Sequence, residues 1–258
     1  MTVHDVIRDK FITVRNINPI NAIDEVERIR KYYSTLKVVK TALNIISISE
    51  KTRENLKRLT GIDSTVIHHW IIDRKFKRRD KSQCIDLLGL DKNYKYILSV
   101  GNNRPNKRMD LIKQFSDNLP KNWKLIKIGT PVISKNAINV GIVPENVYPF
   151  YYNTSEAYLH MSDDEGFGRP LIEAMGSEIP VICRKTQINN EILGNAAIIV
   201  SQNDIGLETV SIIEKLEDLK LRNNIIDMIR IRKQLFREEY IAEKYLKIYR
   251  KSWEDYNK

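Results

Sequence analysis

The sequence predicts an α/β protein built on a mostly parallel β-sheet. Short runs of β-branched and aromatic residues alternate with segments of helical periodicity, a pattern typical of repeated strand–helix units. The 258 residues are 42% hydrophobic and 29% charged, which suffices for one large domain or two small ones. No apolar run reaches the ~18 residues that a membrane-spanning helix needs.

The first part of the chain contains two predicted strands with a well-marked helix between them. Asn44–Ser49 is predicted as a buried strand, and Ser49 is a typical cap for a helix that ends at Gly61. Thr65–His69 is the next predicted strand.

The second part continues the alternation. A helix is expected to end at Leu88–Gly89, and another covers Met109–Leu119. Further strands are expected at Tyr96–Val100, Trp123–Ile128, Ile138–Val143, Tyr158–His160, Pro180–Cys183 and Ala197–Val200. The final stretch carries Ile241, Tyr245, Ile248 and Trp253 at helical spacing and is predicted to pack through them.

The charge is strongly positive and unevenly distributed. The net charge is +10, and five positive residues fall in the run RKFKRR at 74–79. Such a run is most often a solvated linker, although it could also attract an anionic membrane or nucleic acid. The positive charge lacks interleaved aromatic residues, so a nucleic-acid partner is not expected.

Cysteine usage and the first residues bear on the compartment. Cys84 and Cys183 stand in no metal-like or Cys-x-x-Cys spacing, which favours core thiols in a reducing compartment, the cytoplasm. Asp5 and Arg8 argue against a signal peptide.

The stretch EGFGRPLIEAMGSEIP, residues 165–180, is the most informative motif. Pro170 is suited to the first turn of a helix, and the preceding Gly-Phe-Gly turn would leave backbone N–H groups free to bind an anion. The two acids Glu165 and Glu173 flank this cradle, which suits a ligand with phosphates and hydroxyls such as a nucleotide-sugar. The alternative is an ordinary strand–loop–helix unit with incidental acids.

Three segments in order make the chain resemble the retaining glycosyltransferases of family 4, which have the GT-B fold. These segments are YILSVGNNRPNKRMDLI, EAYLHMSDDEGFGRPLIEAMGSEIPVI and NNEILGNAAIIVSQND. The resemblance implies two Rossmann-like domains facing a cleft, of which the C-terminal one is complete and the N-terminal one is partial. It assigns 1–73 to the truncated acceptor-side domain, 74–93 to a linker, 94–236 to the nucleotide-sugar-binding domain and 237–258 to a helix that crosses back.

The resemblance also implies roles for individual residues. Lys107 stands where the family's lysine neutralises the donor diphosphate, and Glu165 matches the acid that contacts the donor sugar. Glu173 matches the acid that binds the ribose hydroxyls, and His4 resembles a histidine that reaches the donor sugar. The implied catalytic residues are thus His4, Lys107 and Glu165.

Substrate-binding residues are implied in two loops. They are Gly101, Asn102, Arg104, Gly166, Phe167, Gly168, Arg169, Leu171 and Glu173. Asn102 replaces the arginine usual after the loop glycine, so Arg104 is the candidate to reach the phosphates instead. His160 either lines the sugar pocket or packs in the core, and His68 and His69 are interpreted as local structure.

The expected activity is transfer of a hexosyl group from a UDP- or GDP-linked sugar to an acceptor hydroxyl, with no metal and no cofactor. The acceptor class is a glycan, a lipid-linked sugar or a protein. The alternative is a nucleotide-sugar-binding subunit, or an inactive remnant, that needs a partner chain for catalysis. A short N-terminal half leaves sheet surface to cover, so a homodimer, a partner subunit or peripheral contact with an anionic membrane is expected.

Overall fold

The computed structural model describes residues 2–3, 37–201 and 205–257. It divides into two compact units, one formed by Met1–His68 with Ile241–Lys258 and the other by His69–Tyr240. The segment 74–93, predicted as a linker, contains the helix Lys81–Leu87, whose Cys84 and Ile85 are buried.

The smaller unit contains a parallel sheet in the order β1–β2–β3, formed by Thr2–Val3, Ile46–Ser47 and Thr65–Val66 in its described part. The helix between β2 and β3 covers Glu50–Thr60 and has the predicted caps. The Ser49 hydroxyl accepts from the Thr52 N–H at 3.0 Å, and Gly61 ends the helix at φ 72°. Serine at the start and glycine just past the end satisfy helix-end groups that lack partners, so the sequence marks both boundaries.

The final helix, Glu238–Tyr256, contributes to the core of this unit. Ile241 is fully buried with Ile46 and Ile67, and Tyr245 and Ile248 pack against this cluster. Trp253, by contrast, is 70% exposed, so the prediction that it packs is wrong. The helical spacing explains the difference, because Ser252 rather than Trp253 continues the buried stripe, and its hydroxyl accepts from the Asn44 amide at 3.0 Å.

The larger unit contains a six-stranded parallel sheet in the order β6–β5–β4–β7–β8–β9. The strands are β4 Lys95–Gly101, β5 Trp123–Gly129, β6 Ala137–Gly141, β7 Ala157–His160, β8 Val181–Arg184 and β9 Ile198–Val200. Each predicted strand of this part is present, with ends shifted by one or two residues.

Helices cover both faces of this sheet. They span Lys81–Leu87, Met109–Asp117, Tyr148–Thr154, Arg169–Gly176, Gln187–Leu193, Ile205–Glu217 and Leu219–Arg232, with 3-10 turns at Pro105–Lys107 and Lys233–Phe236. Leu159 of β7 belongs to a core that includes Phe115 and Ile212 from two of these helices. The next residue back, Tyr158, faces the other way and packs on Tyr152, with ring centroids 5.8 Å apart.

The strand order is that of a doubly wound, Rossmann-like sheet. If β4 is counted as strand 1, the sheet has the order 3-2-1-4-5-6. The strands β5 and β6 lie on one side of β4, and β7, β8 and β9 lie on the other, so the strand order reverses between β4 and β7. The structure confirms the predicted fold class, an α/β protein with a complete Rossmann-like C-terminal domain.

Candidate functional site

The candidate site lies where β4 and β7 end side by side. In open parallel sheets, ligands bind outside the carboxyl ends of the strands at the point where the strand order reverses. Gly101 ends β4, and the loop after it leads to Lys107; His160 ends β7, and the loop after it leads to Glu165. The topology therefore brings together two sequence segments that the motifs had marked separately.

Two glycines allow close backbone approach at the carboxyl ends of the strands. A Cβ on Gly129, at φ 93°, would lie 2.4 Å from the Gly101 carbonyl oxygen, so β4 and β5 can end this close together only with glycine there. Gly168 precedes the helix Arg169–Gly176 at φ 82°, and a Cβ on it would press on the Leu171 side chain at 2.9 Å. Glycine at these two positions therefore allows β5 to approach the end of β4 and the Gly168 backbone to approach Leu171.

Lys107 and Glu165 form the central contact. The Lys107 ammonium donates to the Glu165 carboxylate at 2.5 Å, and their side chains are 20% and 15% exposed. Burial favours the protonated acid, but attraction to His160 and Lys107, with hydrogen bonds from Lys107 and Ser162, holds the pKa of Glu165 below its ordinary value. The pair therefore presents a cation and an anion together at the sheet edge.

His160 lies beneath this pair and is neutral at neutral pH. Burial lowers the pKa of His160 to about 4, although the charge of Glu165 opposes the shift. At neutral pH the charge that acts on Glu165 is consequently that of Lys107. The Nδ1 atom of His160 lies 3.3 Å from the Tyr158 hydroxyl, and its Nε2 atom has no hydrogen-bond partner among the described residues.

A small cavity of about 10 Å³ adjoins these groups, roughly the space of one water molecule. Lys107, His160 and Ser99 line it, and the buried Ser99 hydroxyl also lacks a partner within the described part of the chain. Ser99 was not predicted as a site residue. The signal was present, because it is the one polar residue between Tyr96 and Val100 of a strand that is otherwise apolar there.

Asn106 fastens the two loops to each other. Its side-chain amide donates to the Asp164 carbonyl at 2.8 Å, and its own carbonyl accepts from the Asp163 N–H at 2.9 Å. Sequence reasoning gave no reason to single out this residue, since an asparagine in a polar loop has no distinctive pattern. The tie fixes Lys107, the next residue, relative to Glu165.

A second lysine, Lys127, lies near the carboxyl ends of the strands. It was not predicted as a site residue from the sequence. Its residue is fully buried on β5, and its ammonium donates to the carbonyls of Gly101 at 2.6 Å and Ile128 at 2.8 Å. Burial, with a smaller repulsion from Lys107, lowers the pKa of Lys127 to about 8. A lysine inside the apolar run KLIKIG was the available signal.

Glu173 points from the helix Arg169–Gly176 toward two tyrosines. One oxygen of its carboxylate accepts from the hydroxyls of Tyr148 at 2.9 Å and Tyr152 at 2.8 Å. Burial raises the pKa of Glu173, and the two tyrosine hydrogen bonds and the charge of Arg169 oppose that shift. The tyrosines were missed in the sequence, although their spacing of four residues places them on one helix face.

The remaining predicted residues differ in exposure. Asn102, Arg104 and Arg169 are exposed, and Gly101 and Gly166 are partly exposed. Gly168, Phe167 and Leu171 are buried.

Some of these groups already have contacts inside the unit. The Phe167 ring packs edge-on against His69 with centroids 4.9 Å apart, and the Leu171 N–H donates to the Gly168 carbonyl at 2.9 Å. His4, predicted as a catalytic residue, lies outside the described residues.

The described ranges contain no candidate for two other kinds of site. No group of three or more His, Cys, Asp or Glu side chains is placed to hold a metal ion there. No helix in that part of the chain has both the length and the apolar character that crossing a membrane requires.

Comparison with known proteins places the chain among glycosyltransferases. The profile of the family described as Glycosyl transferases group 1 matches residues 83–232. Among curated proteins, the chain is 24% identical over 202 residues to the O-antigen chain mannosyltransferase B of Escherichia coli, covering 67% of this chain and 51% of that protein. The chain spans about half the length of the curated relatives it matches, 51% and 58% for two of them.

Solved structures share the fold at low sequence identity. Sucrose-phosphate synthase from Thermosynechococcus elongatus superposes with a TM-score of 0.77 at 19% identity, covering 98% of this chain and 67% of that one. Anabaena Alr3699/HepE, solved with UDP and glucose, gives a TM-score of 0.73 at 16% identity, covering 97% and 71%.

The matched region contains every element that builds the sheet edge described above, from β4 to β9. The chain belongs to the Glycosyl transferases group 1 family and has the α/β architecture of its GT-B relatives.

Proposed function

We propose that the chain is a retaining, family 4-type glycosyltransferase that moves a hexosyl group from a UDP- or GDP-linked sugar to an acceptor hydroxyl. The Lys107–Glu165 pair at the carboxyl ends of β4 and β7 carries the proposal. Family membership supports the same reaction class, and one neighbour of known structure was solved with UDP and glucose.

In this proposal Lys107 binds the donor diphosphate. A leaving nucleoside diphosphate gains negative charge as its bond to the sugar breaks, and a fixed cation stabilises that charge most where water is excluded. Lys107 is four-fifths buried, and the neighbouring Asn106 fastens its loop to the loop that bears Glu165, so the lysine is held near Glu165 before a ligand binds. The charge on Lys127 lies behind it and adds to the positive potential of the loop.

The two acids bind hydroxyl groups at either end of the donor. Glu165 contacts the sugar in this proposal. Its contact with Lys107 supports that role, because the sugar is attached to the phosphate that Lys107 binds. Glu173 binds the ribose. The tyrosine hydroxyls occupy one of its oxygens and fix the carboxylate, which has about four acceptor positions in all and so retains capacity for ribose.

The transfer itself needs no covalent intermediate with the protein. The acceptor oxygen bonds to the anomeric carbon on the face from which the diphosphate leaves, and the bond between that carbon and the phosphate oxygen breaks. The proton of the acceptor hydroxyl passes to a phosphate oxygen. The positive charge that Lys107 supplies makes a metal ion unnecessary in this scheme.

The acceptor and the setting are proposed at a coarser level. The E. coli relative is named for an O-antigen chain, which favours a glycan acceptor. Both cysteines are buried free thiols, in keeping with a cytoplasmic setting.

Self-association is proposed as well, through exposed aromatic residues of the last helix such as Tyr249 and Trp253. Light scattering at micromolar concentration tests it, and a monomer would contradict it.

Calorimetry with UDP and GDP tests the binding step. Lys107→Ala is expected to weaken nucleoside diphosphate binding by ~1.5–3 kcal/mol, the range for hydrogen bonds to charged groups. Lys113→Ala, a lysine on the next helix paired with Asp117, is the matched control and should bind normally. Unchanged affinity in Lys107→Ala would remove Lys107 from the site.

Turnover with a UDP- or GDP-sugar tests the reaction. We expect activity to survive EDTA, and loss that Mg²⁺ or Mn²⁺ restores would contradict the metal-independent scheme. Tight nucleotide binding without turnover by the isolated chain would favour the alternative of a binding subunit that needs a partner.

A further inference from the structure

A cleft lies at the other end of the six-stranded sheet from the Lys107–Glu165 pair. It has a volume of about 530 Å³, and its lining includes Arg79, Asp80, Lys81, Ser177, Glu178 and Arg222. Ser177 and Glu178 come just before β8, and other lining residues come just before β7, so the cleft adjoins the amino ends of these strands. Lys107 and Glu165 follow the carboxyl ends, and the two sites are distinct.

The lining of this cleft is positively charged, and its acids already have partners. Asp80 caps a helix by accepting from the Gln83 N–H at 2.8 Å. Glu178 accepts from Lys233 at 2.6 Å and from Arg230 at 2.9 Å, which leaves it outnumbered by cations.

Glu156, behind the cleft, shows the same imbalance. Its carboxylate pairs with Arg222 at 2.6 Å and also with Lys81. Arg79 has no carboxylate partner within the described residues, since its guanidinium lies over the Phe150 ring and donates to the Lys77 carbonyl.

Two buried polar atoms at the cleft lack hydrogen-bond partners among the described residues. One is the hydroxyl of Ser177, a residue that is only 1% exposed, and the other is the Nε atom of Arg222. A buried donor without a partner costs ~1–3 kcal/mol, so two of them in one cavity indicate a place that an acceptor can fill. Such orphaned polar groups in a native structure call for an explanation.

We propose that this cleft is an anion-binding site that takes a phosphate group. Phosphate oxygens match both the guanidinium fork of arginine and a serine hydroxyl, and a phosphate supplies the negative charge that the lining lacks. The site goes beyond the proposed transferase reaction and uses none of its residues. It also gives a role to part of the basic run at 74–79, which the nucleotide site does not use.

Phosphate titrations by calorimetry test the proposal, performed in a Lys107→Ala background so that the nucleotide site does not contribute. Arg79→Gln should weaken phosphate binding about tenfold and Ser177→Ala about threefold, because each removes a hydrogen bond to a charged ligand. Lys77→Gln is the matched control. It removes one positive charge two residues before Arg79, and the Lys77 side chain does not line the cleft.

Vesicles distinguish the source of the phosphate. Vesicles containing phosphatidylglycerol are compared with vesicles of phosphatidylcholine alone. If only the phosphatidylglycerol vesicles bind more weakly to Arg79→Gln and Ser177→Ala than to Lys77→Gln, the ligand is a lipid headgroup. If only the affinity for inorganic phosphate falls, the ligand is a soluble phosphate. The proposal is overturned if Arg79→Gln and Ser177→Ala bind phosphate within about twofold of Lys77→Gln, or if the Lys107→Ala protein binds no phosphate at millimolar concentration.

Discussion

The two ends of the six-stranded sheet use charged side chains in different ways. At the carboxyl ends, Lys107 and Glu165 pair one to one, and the buried Lys127 has a shifted pKa. At the amino ends, Glu156 and Glu178 are each surrounded by two or more cations. The same sheet thus has a closely paired cation and anion at one end and acids surrounded by several cations at the other.

The proposed donor site uses the carboxyl-end groups, whereas the buried acids at the amino ends anchor the fold beside the proposed phosphate site. The carboxyl-end groups are tied mainly to loop backbone and to one another, since Lys127 donates to the carbonyls of Gly101 and Ile128 and Lys107 donates to Glu165. The amino-end acids link distant parts of the larger unit, since Glu156 binds Arg222 and Glu178 binds Lys233. We therefore expect loss of an acid at the amino ends to affect stability, and changes at the carboxyl ends to affect pH dependence and binding.

The largest expected effect is at Glu156, whose side chain is 8% exposed. Glu156→Gln keeps the shape of the side chain but leaves Arg222 and Lys81 with a neutral partner. The free energy of unfolding should fall by ~2–3 kcal/mol, as for loss of hydrogen bonds to a charged group. Urea denaturation measures it, with Glu217→Gln, an exposed acid paired with Lys95, as the control. Equal effects of the two variants would show that Glu156 is no anchor.

The next effect concerns Lys127 and pH. Its folded-state pKa of about 8 is below the ordinary value of 10.5, so the unfolded chain binds more protons between these values. The buried charge of Lys127 therefore lowers the free energy of unfolding at neutral pH. That free energy increases as pH rises from 8 toward 10.5, by at most ~1.4 kcal/mol per pH unit.

Urea denaturation of wild type and Lys127→Met between pH 7 and 10 measures this effect. The wild type should gain stability relative to Lys127→Met as the pH rises, because only the wild type loses the buried charge. Lys124→Met, at a partly exposed position on the same strand, controls for loss of a lysine side chain. Parallel curves for wild type and Lys127→Met would contradict a charged lysine in this position.

The smallest effect is at Glu178, where backbone strain and ion pairing can be separated. Glu178 has φ 55°, a conformation that costs a residue with a Cβ about 1 kcal/mol and glycine almost nothing. Glu178→Ala loses the ion pairs and keeps the strain, whereas Glu178→Gly loses the ion pairs and relieves it. Thermal unfolding should therefore rank the glycine variant above the alanine variant by about 1 kcal/mol. If alanine is equal or better, no strain is present.

The sequence by itself determined the α/β class, the order of the elements and the family. The class and the order of the elements follow from local chemistry, because alternating apolar runs specify strands and Ser49 and Gly61 mark the ends of one helix. The family was indicated by the resemblance of three segments, and the profile match over residues 83–232 confirms it. The last helix shows where periodicity misleads, because one residue separates the buried stripe at Ser252 from the exposed Trp253.

Only the tertiary structure decided which side chains meet. Lys107 and Glu165 are 58 residues apart, and they touch because β7 inserts beside β4 rather than beside β6. The same holds for the tyrosines that bind Glu173 and for the buried charges of Lys127 and Glu156. Strand order depends on packing between distant segments, so a local pattern can indicate that a polar residue such as Lys127 is buried but not which residues it meets.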